Sequence, residues 1–209
     1  MNVEVFSESQ WDEASLRVIA SAILGTEIQQ GSLRPRHRGW PSVKLALPSI
    51  LKAVHYRTDA EALLVVVDSN SSEPHAPSHD QSGTSHARCR LCDIRAVVDE
   101  VLPGLRSVAG KSDLKVALGL AVPSIEAWYL RDPSVSEAAW TQGLAGGALP
   151  YTTNELKQRV YETDRPYQAL LRQFAEKEAS SLASSINVLE ELFPNGFGYL
   201  SRTIKSWLG

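Results

Sequence analysis

Ala62-Leu63-Leu64-Val65-Val66-Val67-Asp68-Ser69-Asn70 runs from six apolar residues into an acid and two small polar ones. It lacks the period-2 alternation of a half-exposed strand, so it reads as a strand buried on both faces, which is how strands of parallel sheets are placed. Leu114 to Val122 is a second such run, and Asn2 to Phe6 a shorter strand ending in Ser7-Glu8-Ser9. Helical spacing fills the intervals. Leu16, Ile19, Ala20 and Ile23 follow Ser9 as N-cap, with Asp12 at capping-box distance, and Gly25 ends the turn series. Val43, Leu47, Ile50, Leu51 and Val54 mark another helix, in which Pro48 implies a kink or a late start.

Beyond Asn70 a polar, aperiodic loop leads to Arg88. From there Leu91, Ile94, Val98, Val101, Leu102 and Leu105 repeat at helical intervals. Pro123-Ser124 suits a helix start and Asp132-Pro133 a helix end, and Thr26 to Leu33 is read as a further strand. Alternating strands and helices define an α/β fold: a mostly parallel sheet flanked by helices over residues 1–142. GLAGGALP reads as a linker, and residues 150–209 as a helical C-terminal extension packed on that domain.

The chain has 209 residues, 43% apolar and 22% charged, with no apolar run near the roughly 18–20 residues that cross a bilayer. MNVEVFSESQ lacks the features of a secretory leader, so a cytoplasmic location is expected, with no membrane contact. The net charge is −3, yet 28–58 contains no acid and carries Arg34, Arg36, Arg38, Lys44, Lys52 and Arg57. That segment suits phosphate or nucleic-acid contact, or is a solvated face whose counter-charges lie elsewhere. Arg88, Arg90 and Arg95 are further phosphate candidates. Trp40, Trp128 and Tyr129, next to apolar residues, are assigned to the core rather than to base stacking.

Ligands of parallel α/β folds gather at the carboxyl ends of strands. Glu8, Asp68 and Glu126 each fall at or just beyond such an end, so three carboxylates distant in sequence meet at one sheet edge. Ionised together they repel, and a divalent cation relieves this; magnesium or manganese prefers such oxygen ligands. Asn70, two residues after Asp68, is a second oxygen ligand or simply a turn residue. The loop at 69–92 carries a different set: His75, His79, His86, Cys89 and Cys92. Cys-x-x-Cys with two histidines can hold tetrahedral zinc. The alternatives are buried thiols beside exposed histidines, or a nucleophilic thiol at a helix N-terminus.

The segments VEVFSESQWDEASL, LLVVVDSN and VALGLAVPSIEAWYLRD, in that order, resemble the Toprim-related DUF4276 and RloB-like group of bacterial defence-associated proteins. ELKQRVYETDRP and FPNGFGYLSRTIKSWL are similar to that group's tail. The resemblance covers most of the chain and implies a Toprim-like sheet. Glu8, supported by Asp12, would serve in acid/base or metal chemistry, and the D-x-D position would bind magnesium. It implies a metal-dependent nuclease acting on DNA or RNA, partnered by an ABC- or AAA-type ATPase, with homo-oligomerisation possible. Asn70 departs from the D-x-D pattern. One-metal chemistry, recruitment of Glu73 or Asp80, or a non-catalytic binding subunit with a structural zinc loop would each accommodate it.

Overall fold

The run at 62–68 forms the middle strand of a three-stranded sheet in the computed structural model, which describes residues 1–29, 31, 33, 39–81 and 86–209, the side chains of 172, 176 and 179 excepted. In chain order the elements are β1 (Val3–Phe6), α1 (Gln10–Leu24), α2 (Gly39–Arg57), β2 (Ala62–Asp68), α3 (Ser78–Gln81), α4 (Arg90–Val101), β3 (Lys115–Ala121), α5 (Ile125–Leu130), α6 (Glu137–Gly146), α7 (Thr153–Tyr161), α8 (Gln168–Ala183), α9 (Ile186–Leu192) and α10 (Phe197–Lys205). The sheet order is β1-β2-β3 and both pairings are parallel, with Phe6 beside Val65 and Asp68 beside Ala121. This is the α/β class expected from the strand pattern.

The first six residues of β2 are buried, because both faces of the sheet are covered. On one side α1, α8 and α10 pack together and against β1 and β3. On the other, α2 and α4 pack together and against β2 and β3. A single apolar cluster runs from Val3 to Ile204. Segment 150–209 is therefore part of the main core: Phe197, Leu200 and Ile204 of α10 are at most 1% exposed. Leu200 reaches β3 because Gly119 has no side chain; a Cβ there would sit 3.1 Å from Leu200 and from Val66.

Three local expectations change. The described residues of 26–33 form no strand; Ile28 instead donates its N–H to Ser21 Oγ at 2.9 Å, folding the chain back on the end of α1. α2 starts at Gly39, nine residues before Pro48, and continues through the proline, which gives up one hydrogen bond to a helix held by buried Val43, Leu47, Leu51 and Val54. The stretch taken as a linker is helical through Gly146.

Candidate active site and metal knuckle

Parallel pairing brings all three strand ends to one edge. Ser7 Oγ donates to Val66 O at 2.8 Å, which carries β1 past its last pair and delivers Glu8 beside Asp68. Glu8 Oε1 accepts the Asp68 N–H at 2.9 Å, and Asp68 Oδ1 accepts the Ile125 N–H at 3.1 Å at the start of α5. The chain after β2 stays against β3: Ser69 N–H donates to Ala121 O and Asn70 N–H to Pro123 O, both at 2.7 Å. Glu126, one residue into α5, is 6% exposed. Asp12 comes from the first turn of α1, whose N-cap Ser9 accepts the Asp12 N–H at 3.2 Å.

The electrostatics are those of a crowded acidic site. Burial, followed by the Asp12, Glu126 and Glu8 carboxylates, pushes Asp68 well above the usual carboxylate range. Burial and Glu126 raise Asp12 to about 7. Glu8 is raised by burial, against the opposing pull of the Asp68 N–H, Arg90 and the Trp40 N–H. Two phenols close the site. Tyr129, hydrogen-bonded to Ser15 Oγ, and Tyr161 of α7 are both raised, by burial first and then by nearby carboxylates that include Glu126 and Asp12. Arg90 is the cation placed against this edge: Nη1 donates to Asp68 O at 2.7 Å and lies 3.7 Å from Glu8 Oε1.

Asn70 has a backbone explanation. Its φ of 48° is left-handed, a conformation that Asn adopts more readily than most residues, so it turns the chain out of β2. Neither Glu73 nor Asp80 takes its place at the sheet edge. Glu73 pairs with Arg88 at 3.7 Å, and Asp80 with His75 and Arg95.

The second constellation is tighter. His75, His79, Cys89 and Cys92 are all buried, and each offers one ligand atom within 4.8 Å of the others. His75 Nδ1 lies 3.7 Å from both sulfurs, and His79 Nδ1 3.7 Å from Cys92 Sγ. Zinc with S at about 2.3 Å and N at about 2.0–2.1 Å in a tetrahedron puts N and S about 3.6 Å apart. The donor set and its spacing are thus compatible with zinc. Burial lowers both histidines, with Arg95 adding to the effect at His75 and His86 at His79, which favours the neutral ligand form. His75 Nε2 faces Asp80 Oδ1 at 3.2 Å, the outer carboxylate that orients metal-ligating imidazoles.

His86, expected as a fifth candidate, falls outside this buried set. It is exposed and stacks on His79 with ring centroids 3.8 Å apart, in a looser group with His79 and Glu73. A nucleophilic role for Cys89 loses its physical basis, since burial pushes its thiol up to about 12. Among the described residues, no three of the sheet-edge carboxylates offer ligand atoms that all lie within 4.8 Å of one another.

Arg34, Arg36 and Arg38 lie outside the described residues. Of the other basic candidates, Lys44 pairs with Asp93 at 3.0 Å, Lys52 and Arg57 are exposed on α2, and Arg88 is 83% exposed. Arg95 is committed to Asp80 and to the Tyr199 ring, so phosphate contact is reassigned from it to a structural role. Trp128 and Tyr129 are core residues as expected, whereas Trp40 is only partly buried and carries the Arg90 guanidinium 5.0 Å from its ring centre.

Asp80 could have been read from its place beside His79. Tyr161 could not: α7 is brought to the site by its packing on α5. No family model matches this chain, and no curated protein or solved structure matches it either. Among the described residues no helix is long and apolar enough to cross a membrane.

Proposed function

We propose that the protein is a divalent-metal-dependent nuclease that hydrolyses phosphodiester bonds at the edge formed by Glu8, Asp12, Asp68 and Glu126. One observation carries the reading: three strand ends and the first turn of α1 place four carboxylates in mutual repulsion, with Arg90 as the facing cation. Such an arrangement costs folding free energy and is retained where charge must be received. Asp68 and Glu126 are the residues that would hold magnesium or manganese. The ion supplies Lewis acidity toward a phosphoryl oxygen.

The chain's own groups do the rest. Asp12, whose protonated form burial and Glu126 favour, can take a proton from an attacking water or return one to a leaving oxygen. Glu8 is anchored by the Asp68 and Trp40 amides, so it holds Arg90 at the rim, where a guanidinium can meet phosphate. Zinc is the ion we assign to His75, His79, Cys89 and Cys92, as a structural clip that ties the loop after Asp68 to the start of α4. The resemblance of the sequence extends the proposal to a bacterial defence complex with an ATPase subunit.

The test incubates purified protein with single- and double-stranded DNA and structured RNA, under magnesium or manganese and under chelator. Metal-dependent cleavage is expected, falling at least about 100-fold in Glu8→Gln and in Asp68→Asn. No cleavage with either metal, even with the ATPase subunit supplied, would leave the second reading. That reading is a non-catalytic binding subunit, favoured by the neutral Asn70 in a turn conformation.

A further inference from the structure

Beside the acidic edge lies a cavity of about 470 Å³ that the carboxylate chemistry does not use. Its walls come from four places: Trp40 at the start of α2, Ser71 and Ser72 just after β2, Arg88 and Arg90 at the start of α4, and Leu144 of α6. Ser72 Oγ is buried there with no hydrogen-bond partner among the described residues. The charges nearly balance. Glu73 and Asp93 also line the cavity, so two guanidiniums face two carboxylates: Arg88 meets Glu73 at a loose 3.7 Å, Asp93 is taken by Lys44 at 3.0 Å, and Arg90 lies 3.7 Å from Glu8. One wall thus offers two guanidiniums and the serine hydroxyls beside two already paired carboxylates, and the other, of Trp40 and Leu144, is apolar.

We infer that this cavity binds one unpaired nucleotide of the substrate strand, its phosphodiester on Arg88, Arg90 and the Ser72 hydroxyl and its base against Trp40. The volume is within the range of small-molecule sites and admits a single nucleotide. A base seated against an indole must leave its stack, which selects single-stranded over duplex substrate. Arg90 ties the subsite to the chemistry, because the same guanidinium lies over Trp40 and donates to Asp68 O. Its place is fixed by the knuckle: Arg90 sits between Cys89 and Cys92, and Glu73 N–H bonds Arg88 O at 3.0 Å.

The inference rests on the nuclease reading for its substrate, and binding tests the two apart. Adenosine 5′-monophosphate is titrated into the full chain by calorimetry in magnesium-free buffer without chelator, with inorganic phosphate in parallel. Binding of both is expected. Arg88→Ala, at an exposed position that leaves the fold intact, weakens both by about fivefold or more. Trp40→Ala weakens the nucleotide about tenfold and leaves phosphate unchanged, with Trp40→Phe restoring most of the loss. In cleavage assays single strands outrun duplex, and Arg88→Ala raises KM with little change in kcat. Nucleotide binding without cleavage keeps the subsite and removes the nuclease. Cleavage by a protein that binds neither ligand, or that cuts duplex as fast as single strands, overturns the subsite.

Discussion

Asp12 illustrates how one carboxyl records the state of the whole acidic edge. Its pKa in the folded protein stands at about 7 against 3.8 for a free aspartate, because burial and Glu126 disfavour its charge. Between those values the folded chain keeps a proton that the unfolded chain has released. Metal-free stability therefore falls as pH rises from about 4 to about 7. Asp12→Asn removes this cost, and urea unfolding at pH 8 is expected to show a gain of roughly 1–3 kcal/mol that disappears near pH 4. A divalent cation reverses the sign. Magnesium or manganese must displace the retained proton, so binding tightens as pH rises through about 7, and the metal-induced rise in Tm is larger at pH 8 than at pH 5.5. A metal shift that is flat across this range would remove the carboxylates from the binding site.

At the scale of elements, two polar devices hold segments that apolar packing alone would leave loose. The knuckle is one. The loop between β2 and α4 begins directly after the acidic edge, and zinc on the four proposed ligands would offset the chain entropy of closing so long a segment. Cys92→Ser is expected to bring bound zinc, measured by elemental analysis, from about one per chain to near zero. Amide exchange would then speed up across 71–81 and the first turn of α4, while α10 stays protected. Fully folded, zinc-free wild type grown in zinc-replete medium would refute the clip. Glu137 is the other device. At 3% exposure its Oε2 accepts the Asn195 N–H at 2.9 Å, pinning the turn before α10 to the start of α6. Gly196 must be glycine, since a Cβ would lie 2.1 Å from Leu120 O. Glu137→Ala strands the Asn195 amide and is expected to cost roughly 1–3 kcal/mol in thermal or urea unfolding, with Glu137→Gln recovering part of it.

Taken whole, the molecule was legible where the sequence's pattern matches a local rule and opaque where distant packing decides. β2 and β3 stand out as apolar runs, and parallel topology alone places Glu8, Asp68 and Glu126 at one edge. The four knuckle ligands could be listed from residue type, but which of three histidines stays outside depends on loop geometry. Ile28 is buried like a strand residue, yet a serine side chain rather than a neighbouring strand takes its N–H. The helices expected over 150–209 are present as α7 to α10, but the pattern does not reveal how much of the core they carry. Phe197, Leu200 and Ile204 plainly share a helix face, but that this face covers β3 depends on a glycine far upstream. The consequence is quantitative. Leu182, Leu189, Phe193, Phe197, Leu200 and Ile204 are each at most 1% exposed, and burying six such side chains contributes roughly 9–18 kcal/mol. Residues 1–149 alone are thus expected not to fold: they should lose near-ultraviolet dichroism, bind ANS and unfold without a cooperative transition, because β3 and α1 would face water where α10 and α8 now lie. A sharp two-state melt of that fragment would show instead that the sheet is self-sufficient and that the C-terminal helices are a separable layer.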